Sequence, residues 1–348
     1  MQRLSQIKLL ALSLIMALAL IACQTLTDQP SSDSANTVAP DLTDCRTIEH
    51  EMGEAEVCGQ PQRIVVLGPY FLESLLALNV QPVGYADHVP FHQGDYTNPS
   101  EQIPYLGDRI TQPLKNVGLA FQPSIEAIVN LQPDLIIGLD DFSEPYENLS
   151  SIAPTLLLDY DAPEESLRAI AKAVNRPGQA EQLLIQTQQK IEKAREDFVS
   201  LIATYPQMLL LTSSSQLQNI RLSNSAGLCS SLVEELGFQS AASPGFDNSR
   251  PLSPTPISLE GLSDFDDADL IVLLGDDYRE IEDVDNFREH QLSNLKQAWS
   301  DNKIAQSLNA SKAGRVYFIP AYLCYGLPGP IGTELYLEEL QEQLLPSD

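Results

Sequence analysis

The sequence predicts an α/β protein: two Rossmann-like lobes with parallel sheets, joined by a single long backbone helix. Three observations carry that prediction. The stretch from Pro177 to Ile202 has Ala180, Leu183, Leu184, Thr187, Ile191, Ala194, Phe198, Leu201 and Ile202 at three- and four-residue steps, with Gln188, Lys190, Glu192, Lys193 and Glu196 on the opposite face. That is one amphipathic helix, and Pro177 suits its first turn because the missing N–H costs nothing there. Its length of roughly 38 Å is about the width of a small domain. On either side, short apolar runs bounded by Pro and Gly alternate with helical segments, the pattern of parallel sheets. The two flanking blocks also echo each other. Pro123-Ser124-Ile125-Glu126 leads to Asp134-Leu135-Ile136, and Ile257-Ser258-Leu259-Glu260 leads to Asp269-Leu270-Ile271. The same periodicity would suit the longest surface helix of one large α/β domain; the echo favours a brace between two lobes, with the working cleft between them.

Taken in order, residues 1–22 are a leader. Arg3 and Lys8 form a positive start, and Leu9 to Leu20 is an apolar run too short for a comfortable membrane span. Leu20-Ile21-Ala22-Cys23 resembles the lipobox of bacterial lipoproteins, which implies cleavage before a lipidated Cys23; an ordinary secretory signal is the alternative. Cleavage removes two positive charges and no acid, taking the net charge from −28 to −30. Residues 23–44 are polar, small and proline-containing, a flexible tether with an r.m.s. reach of about 25 Å.

Export to an oxidising compartment bears on the other four cysteines. Cys45 and Cys58 flank a short segment with a Met52-Gly53 turn signal and are expected to close residues 45–60. Cys229 and Cys324 are either a second pair or free buried thiols. With 48 Asp+Glu against 20 Lys+Arg, the charge argues against nucleic acid and against a polybasic grip on anionic lipid.

The first lobe is expected over 61–163, with strands at Ile64–Leu67, Pro82–Tyr85, Leu135–Gly138 and Thr155–Leu158 and a helix at Phe71–Leu78. A connecting helical segment occupies 164–204. The second lobe fills 205–348, with strands at Met208–Thr212, Leu270–Leu274 and Val316–Pro320 and a last helix over about Ile331–Leu345. Ligands of parallel sheets gather beyond the carboxyl ends of the strands. That rule nominates Tyr70, Tyr85 and Arg109 in the first lobe, and Arg221, Tyr278, Tyr322 and Tyr325 in the second. Rings and guanidinium groups suit a large, partly apolar, anionic chelate. His50, His88, His92 and His290 stand in no legible ligand spacing, so no metal site is expected. Ser124 and Ser258 look like N-caps, placing Glu126 and Glu260 in first turns, where the helix dipole favours acids.

From Arg63 to Leu345 the chain resembles the substrate-binding lipoproteins of ABC importers for ferric siderophores, haem and cobalamin. The marks are RIVVLGPYFLESLLAL, PVGYAD, PYLGD, PSIEAIVNLQPDLIIG, ISLEGLSDFDDADLIVLL and KAGRVYFIP before GTELYLEEL; CRTIEHEMGE looks like the iron-siderophore branch common in cyanobacteria. The resemblance implies a monomer with a rigid pair of lobes and little hinge motion. It also implies an Fe(III) chelate as ligand, no covalent cofactor, and an ABC permease dimer that meets Glu126 and Glu260. Relatives often carry an aromatic, frequently tryptophan, near Tyr325; the only tryptophan here, Trp299, reads as a packing residue. Haem and cobalamin remain alternatives on the same scaffold, as does a receptor that signals or stores without transport. An enzyme is disfavoured, since the sequence has no G-x-S-x-G, G-x-G-x-x-G or G-x-x-x-x-G-K-[ST] motif.

Overall fold

The structure, a computed structural model, describes residues 44–142, 145–214, 216–217, 219–223, 227–241, 255–278 and 286–345. The leader, Cys23 and the tether up to Thr43 lie outside the described residues. β1 (Cys45–His50) and β2 (Gly53–Cys58) form an antiparallel hairpin that sets Cys45 opposite Cys58, and the two are joined by a disulfide. Its alternation turns Ile48, Ala55 and Val57 into the core of the first lobe and leaves Glu54 and Glu56 in solvent.

The first lobe follows. β3 (Ile64–Leu67), α1 (Pro69–Ala77) and β4 (Gly84–Asp87) open it, then β5 (Lys115–Leu119), β6 (Gln122–Pro123), α2 (Ile125–Leu131), β7 (Leu135–Leu139) and β8 (Thr155–Leu158). The sheet order is β6-β5-β4-β3-β7-β8, parallel except for the short β6. β3, β7 and β8 are buried along their whole length, as strands covered on both faces must be.

The connecting segment is two helices: α3 (Pro163–Ala173) and α4 (Pro177–Thr204), of 28 residues. Asn175, at φ 58°, and Pro177 break the run between them. α4 is about 42 Å long. Its two halves pack into different cores. Ala180, Leu183 and Leu184 join the first lobe, while Ile191, Ala194, Phe198, Leu201 and Ile202 join the second. This is the brace that the periodicity predicts.

The second lobe contains β9 (Gln207–Ser213), β10 (Arg221–Leu222), α5 (Leu228–Leu236), β11 (Gln239–Ser240), β12 (Thr255–Pro256), β13 (Leu270–Gly275), α6 (Phe287–Asp301), β14 (Val316–Pro320) and α7 (Pro330–Leu344). Its sheet runs β12-β10-β9-β13-β14, with β11 also paired to β9; β9, β13 and β14 are parallel. Met208, Leu210, Val272 and Leu274 face α4, and Leu209, Leu211, Ile271 and Leu273 face a second core that holds Trp299. Trp299 is a packing residue, as read from the sequence. Cys229, on α5, is bonded to Cys324, just beyond β14, and both are buried.

The lobes meet at a polar contact inside an apolar setting. Glu73, on α1, is fully buried, and its carboxyl accepts the backbone N–H groups of Gly329 and Gly332 at the start of α7. Four N–H groups at any helix start lack internal partners, and a carboxyl there satisfies some of them. Burial nevertheless dominates, lifting the Glu73 pKa to about 8.

Candidate functional site: an aromatic cavity at the strand ends

Six strands end at one cavity of about 410 Å³. Tyr70 lies beyond β3, His88 beyond β4, Leu139, Asp140 and Asp141 at the exit of β7, and Asp159, Tyr160 and Asp161 beyond β8. From the second lobe come Tyr278 beyond β13, and Tyr325 with Gly326 beyond β14. Phe121, more than half exposed at the β5–β6 turn, completes the rim. The volume falls within the usual range for small-molecule sites.

Aromatic side chains build the walls. Tyr70 meets Tyr160 edge to face at 5.2 Å between centroids and His88 at 5.7 Å. His88 in turn contacts Tyr278 at 5.9 Å and Tyr322 at 5.4 Å, so its ring joins the two lobes. Asp87 Oδ1 fixes that ring, lying 3.0 Å from Nδ1 while accepting the His88 backbone N–H at 2.7 Å. The Tyr160 hydroxyl donates to the Tyr325 carbonyl at 2.6 Å, and the Tyr325 hydroxyl lies 2.6 Å from Ser223 Oγ and 3.3 Å from Thr212 Oγ1. Burial pushes the Tyr70, Tyr160 and Tyr278 hydroxyls well above the ordinary phenol range, so they stay protonated and donate hydrogen bonds at neutral pH.

The electrostatics differ from expectation. Among the described residues, the lining carries four aspartates and no arginine or lysine. Burial, followed by the charge of Asp141, raises the Asp140 pKa; burial, followed by the charges of Asp159 and Asp140, raises that of Asp161.

Of the seven expected ligand residues, the structure brings Tyr70, Tyr278 and Tyr325 together and leaves four out of the lining. Tyr85 is fully buried against Tyr96, because its place within β4, two residues before the strand's end, turns it into the packed face. Tyr322 is also fully buried, enclosed by Phe91, Tyr105 and Phe287 behind the wall that His88 forms. Arg109 is exposed on the turn Gly107–Arg109, where its charge favours the carboxylate of Glu73 rather than facing the cavity. Arg221 is paired with Asp276 at 2.6 Å. His88, Tyr160 and the four aspartates were missed. The strand-end rule would have found them had it been carried past Asp87, Leu139 and Leu158.

Glu126 and Glu260 are both exposed. Ser124 Oγ accepts from the Ala127 N–H at 3.3 Å and caps the helix whose first turn holds Glu126, whereas Ser258 Oγ accepts from the Gly261 N–H at 3.2 Å while the cap position before Glu260 is Leu259. The repeats then diverge: α2 is an α-helix, whereas Glu260–Phe265 is a 3₁₀ helix. Among the described residues, the only three His, Cys, Asp or Glu ligand atoms close enough to share an ion belong to Cys45, Glu56 and Cys58, whose sulfurs are bonded to each other. No helix among them is long and apolar enough to cross a membrane.

A family model described as periplasmic binding protein matches residues 64–323. The chain belongs to that family. This binding protein is 28% identical over 311 residues to the Fe(3+)-citrate-binding protein YfmC of Bacillus subtilis, covering 87% of each chain. It is 26% identical over 343 residues to the probable siderophore-binding lipoprotein YfiY of the same organism, covering 97% of this chain and 98% of that one. Among solved structures, Staphylococcus aureus SirA complexed with staphyloferrin B superposes with a TM-score of 0.68 at 22% identity, over 85% of this binding protein and 97% of SirA. That likeness establishes the shared fold, and the family places the protein among solute-binding transport proteins rather than enzymes.

Proposed function

We propose that the protein captures a ferric chelate in the cavity between its lobes and delivers it to an ABC permease. The observation that carries this reading is the cavity itself, walled by Tyr70 and Tyr160 from one lobe and Tyr278 and Tyr325 from the other. Flat apolar rings with protonated hydroxyls suit a chelate whose metal is already fully coordinated, since they offer stacking and hydrogen bonds rather than metal bonds. Relatives named for ferric citrate and siderophore binding support the choice of ligand. In this reading the leader 1–22 is removed, Cys23 carries the lipid and residues 23–44 tether the folded body to a membrane. Glu126 and Glu260, one exposed acid at the equivalent point of each lobe, form a two-pronged docking surface for the permease.

The test is a thermal-shift screen against ferric citrate, ferric catecholates, ferric hydroxamates, haem and cobalamin. A ligand that binds only the native state raises the melting temperature with its occupancy. A shift with a ferric chelate and none with haem or cobalamin is the expected result. A shift with haem or cobalamin alone, or with none of the five, overturns the proposal.

A further inference from the structure

We infer that this cavity selects ferric chelates bearing positive charge, or none, over strongly anionic ones; the inference rests on the chelate reading above and names the class of chelate. Two independent features point the same way. The first is the wall formed at the exits of β7 and β8 by Asp140, Asp141, Asp159 and Asp161. Among the described residues no lysine or arginine in the lining offsets them, and Arg221, one of the two arginines expected at the site, already has its charge matched by Asp276. Burial first, and then repulsion from neighbouring acids, raises the Asp140 and Asp161 carboxyls; the repulsive part is relieved when a cation enters and aggravated when an anion does. The second feature is the aromatic part of the lining. Tyr70, Tyr160, Tyr278 and Tyr325 present aromatic rings, whose negative faces attract cations.

The four carboxylates do not make a site for a bare ion. No three of them come within 4.8 Å of one another, as ligand atoms for one ion must. They act instead as a diffuse negative field around a space large enough for an organic complex. A ferric trihydroxamate with a free amine on its periphery fits that field, its neutral core against the tyrosines and its ammonium toward the aspartates. A ferric tricatecholate, with three negative charges, would meet repulsion along the same wall.

The test compares matched probes by calorimetric titration of the full-length protein. One is the ferric complex of a linear trihydroxamate with a terminal amine, net charge about +1; the second is the same complex N-acetylated, net charge about 0; the third is a ferric tricatecholate, about −3. The amine complex is expected to bind about tenfold tighter than the acetylated one at low salt, with the gap narrowing as salt is added and the tricatecholate weakest. Asp140→Asn with Asp161→Asn is expected to close the gap between the first two. Equal affinity for the amine and acetylated complexes, or tighter binding of the tricatecholate, overturns the charge selection while leaving the chelate reading in place. Failure of all three to bind overturns the charge selection, and if ferric citrate gives no thermal shift either, the chelate reading falls with it.

Discussion

The Tyr160 hydroxyl donates a 2.6 Å hydrogen bond to the backbone carbonyl of Tyr325, joining positions 165 residues apart and on different lobes. It ties the exit of β8 to the exit of β14 at the cavity, so a bond between the lobes also joins two residues of the cavity lining. Tyr160→Phe removes the donor and leaves a part-buried carbonyl unsatisfied, an expected cost of about 1–2 kcal/mol. Calorimetric melting should show a lower transition temperature, and chelate affinity should fall with it. An unchanged melting temperature and affinity would mean that the bond contributes nothing to either.

Glu73 makes the protein's stability depend on pH. Its folded-state pKa of about 8 lies above the ordinary value of 4.5, because burial outweighs the N–H groups of Gly329 and Gly332. The folded protein therefore holds a proton that the unfolded chain releases. The resulting stabilisation is fully present below the unfolded value and is lost as pH rises through about 8. Melting temperature should accordingly fall between about pH 5 and about pH 8.5, and Glu73→Gln should flatten that slope. A slope identical in the variant would rule Glu73 out as its source.

The two ends of the proposed docking surface are separable from binding. Glu126→Arg combined with Glu260→Arg should abolish chelate uptake by cells while chelate affinity and melting temperature stay within error, since both side chains are exposed and outside the cavity lining. Uptake that survives both reversals would remove these acids from permease contact.

Cys229–Cys324 closes a 95-residue separation, and Tyr325 follows directly. The loop-entropy model gives about 4–5 kcal/mol for a loop of that size. Cys229→Ser with Cys324→Ser should lower the melting temperature strongly and, by freeing the Tyr325 segment, weaken chelate binding. Melting and affinity equal to those of the parent chain would deny the bridge both roles.

Tyr325 and Arg109 offer a contrast. Tyr325→Ala removes a cavity wall and the hydroxyl held by Ser223 and Thr212, and should weaken chelate binding about tenfold, or about 1.4 kcal/mol. Arg109→Ala, on an exposed turn outside the lining, should change affinity less than about twofold, within RT ln 2 of the parent. The reverse ranking would return Arg109 to the site.

Much of the fold was legible because its signals are local. The apolar runs of β3, β7, β13 and β14 and the long periodicity of α4 each sit in one short stretch of sequence. So does the Cys45–Cys58 pairing across its Met52-Gly53 turn signal, although the two strands that carry it were not read. β5 and β6 were missed because Lys115–Leu119 carries Lys, Asn and Gly and its burial is uneven, a poor match to either a continuous or an alternating apolar pattern. The site was only half legible. Tyrosine identity picked out Tyr70, Tyr278 and Tyr325, but whether Tyr85 faces the cavity or the core depends on where β4 ends, a matter of two residues. The arginines fall outside the lining for a different reason. Guanidinium groups have partners of their own or lie out in solvent, and Arg221's pairing with Asp276 spans 55 positions that no local pattern connects.

The helix α4 has a consequence for how this molecule comes apart. Ala180 and Leu184 are anchored in one hydrophobic interior, Ile191 and Phe198 in another, with a single unbroken rod between. Fraying from either end strips an anchor from its own interior and leaves the far moiety resting on an isolated helix, which is marginal in water. Neither half can melt privately, so heat should dismantle the pair in one cooperative step.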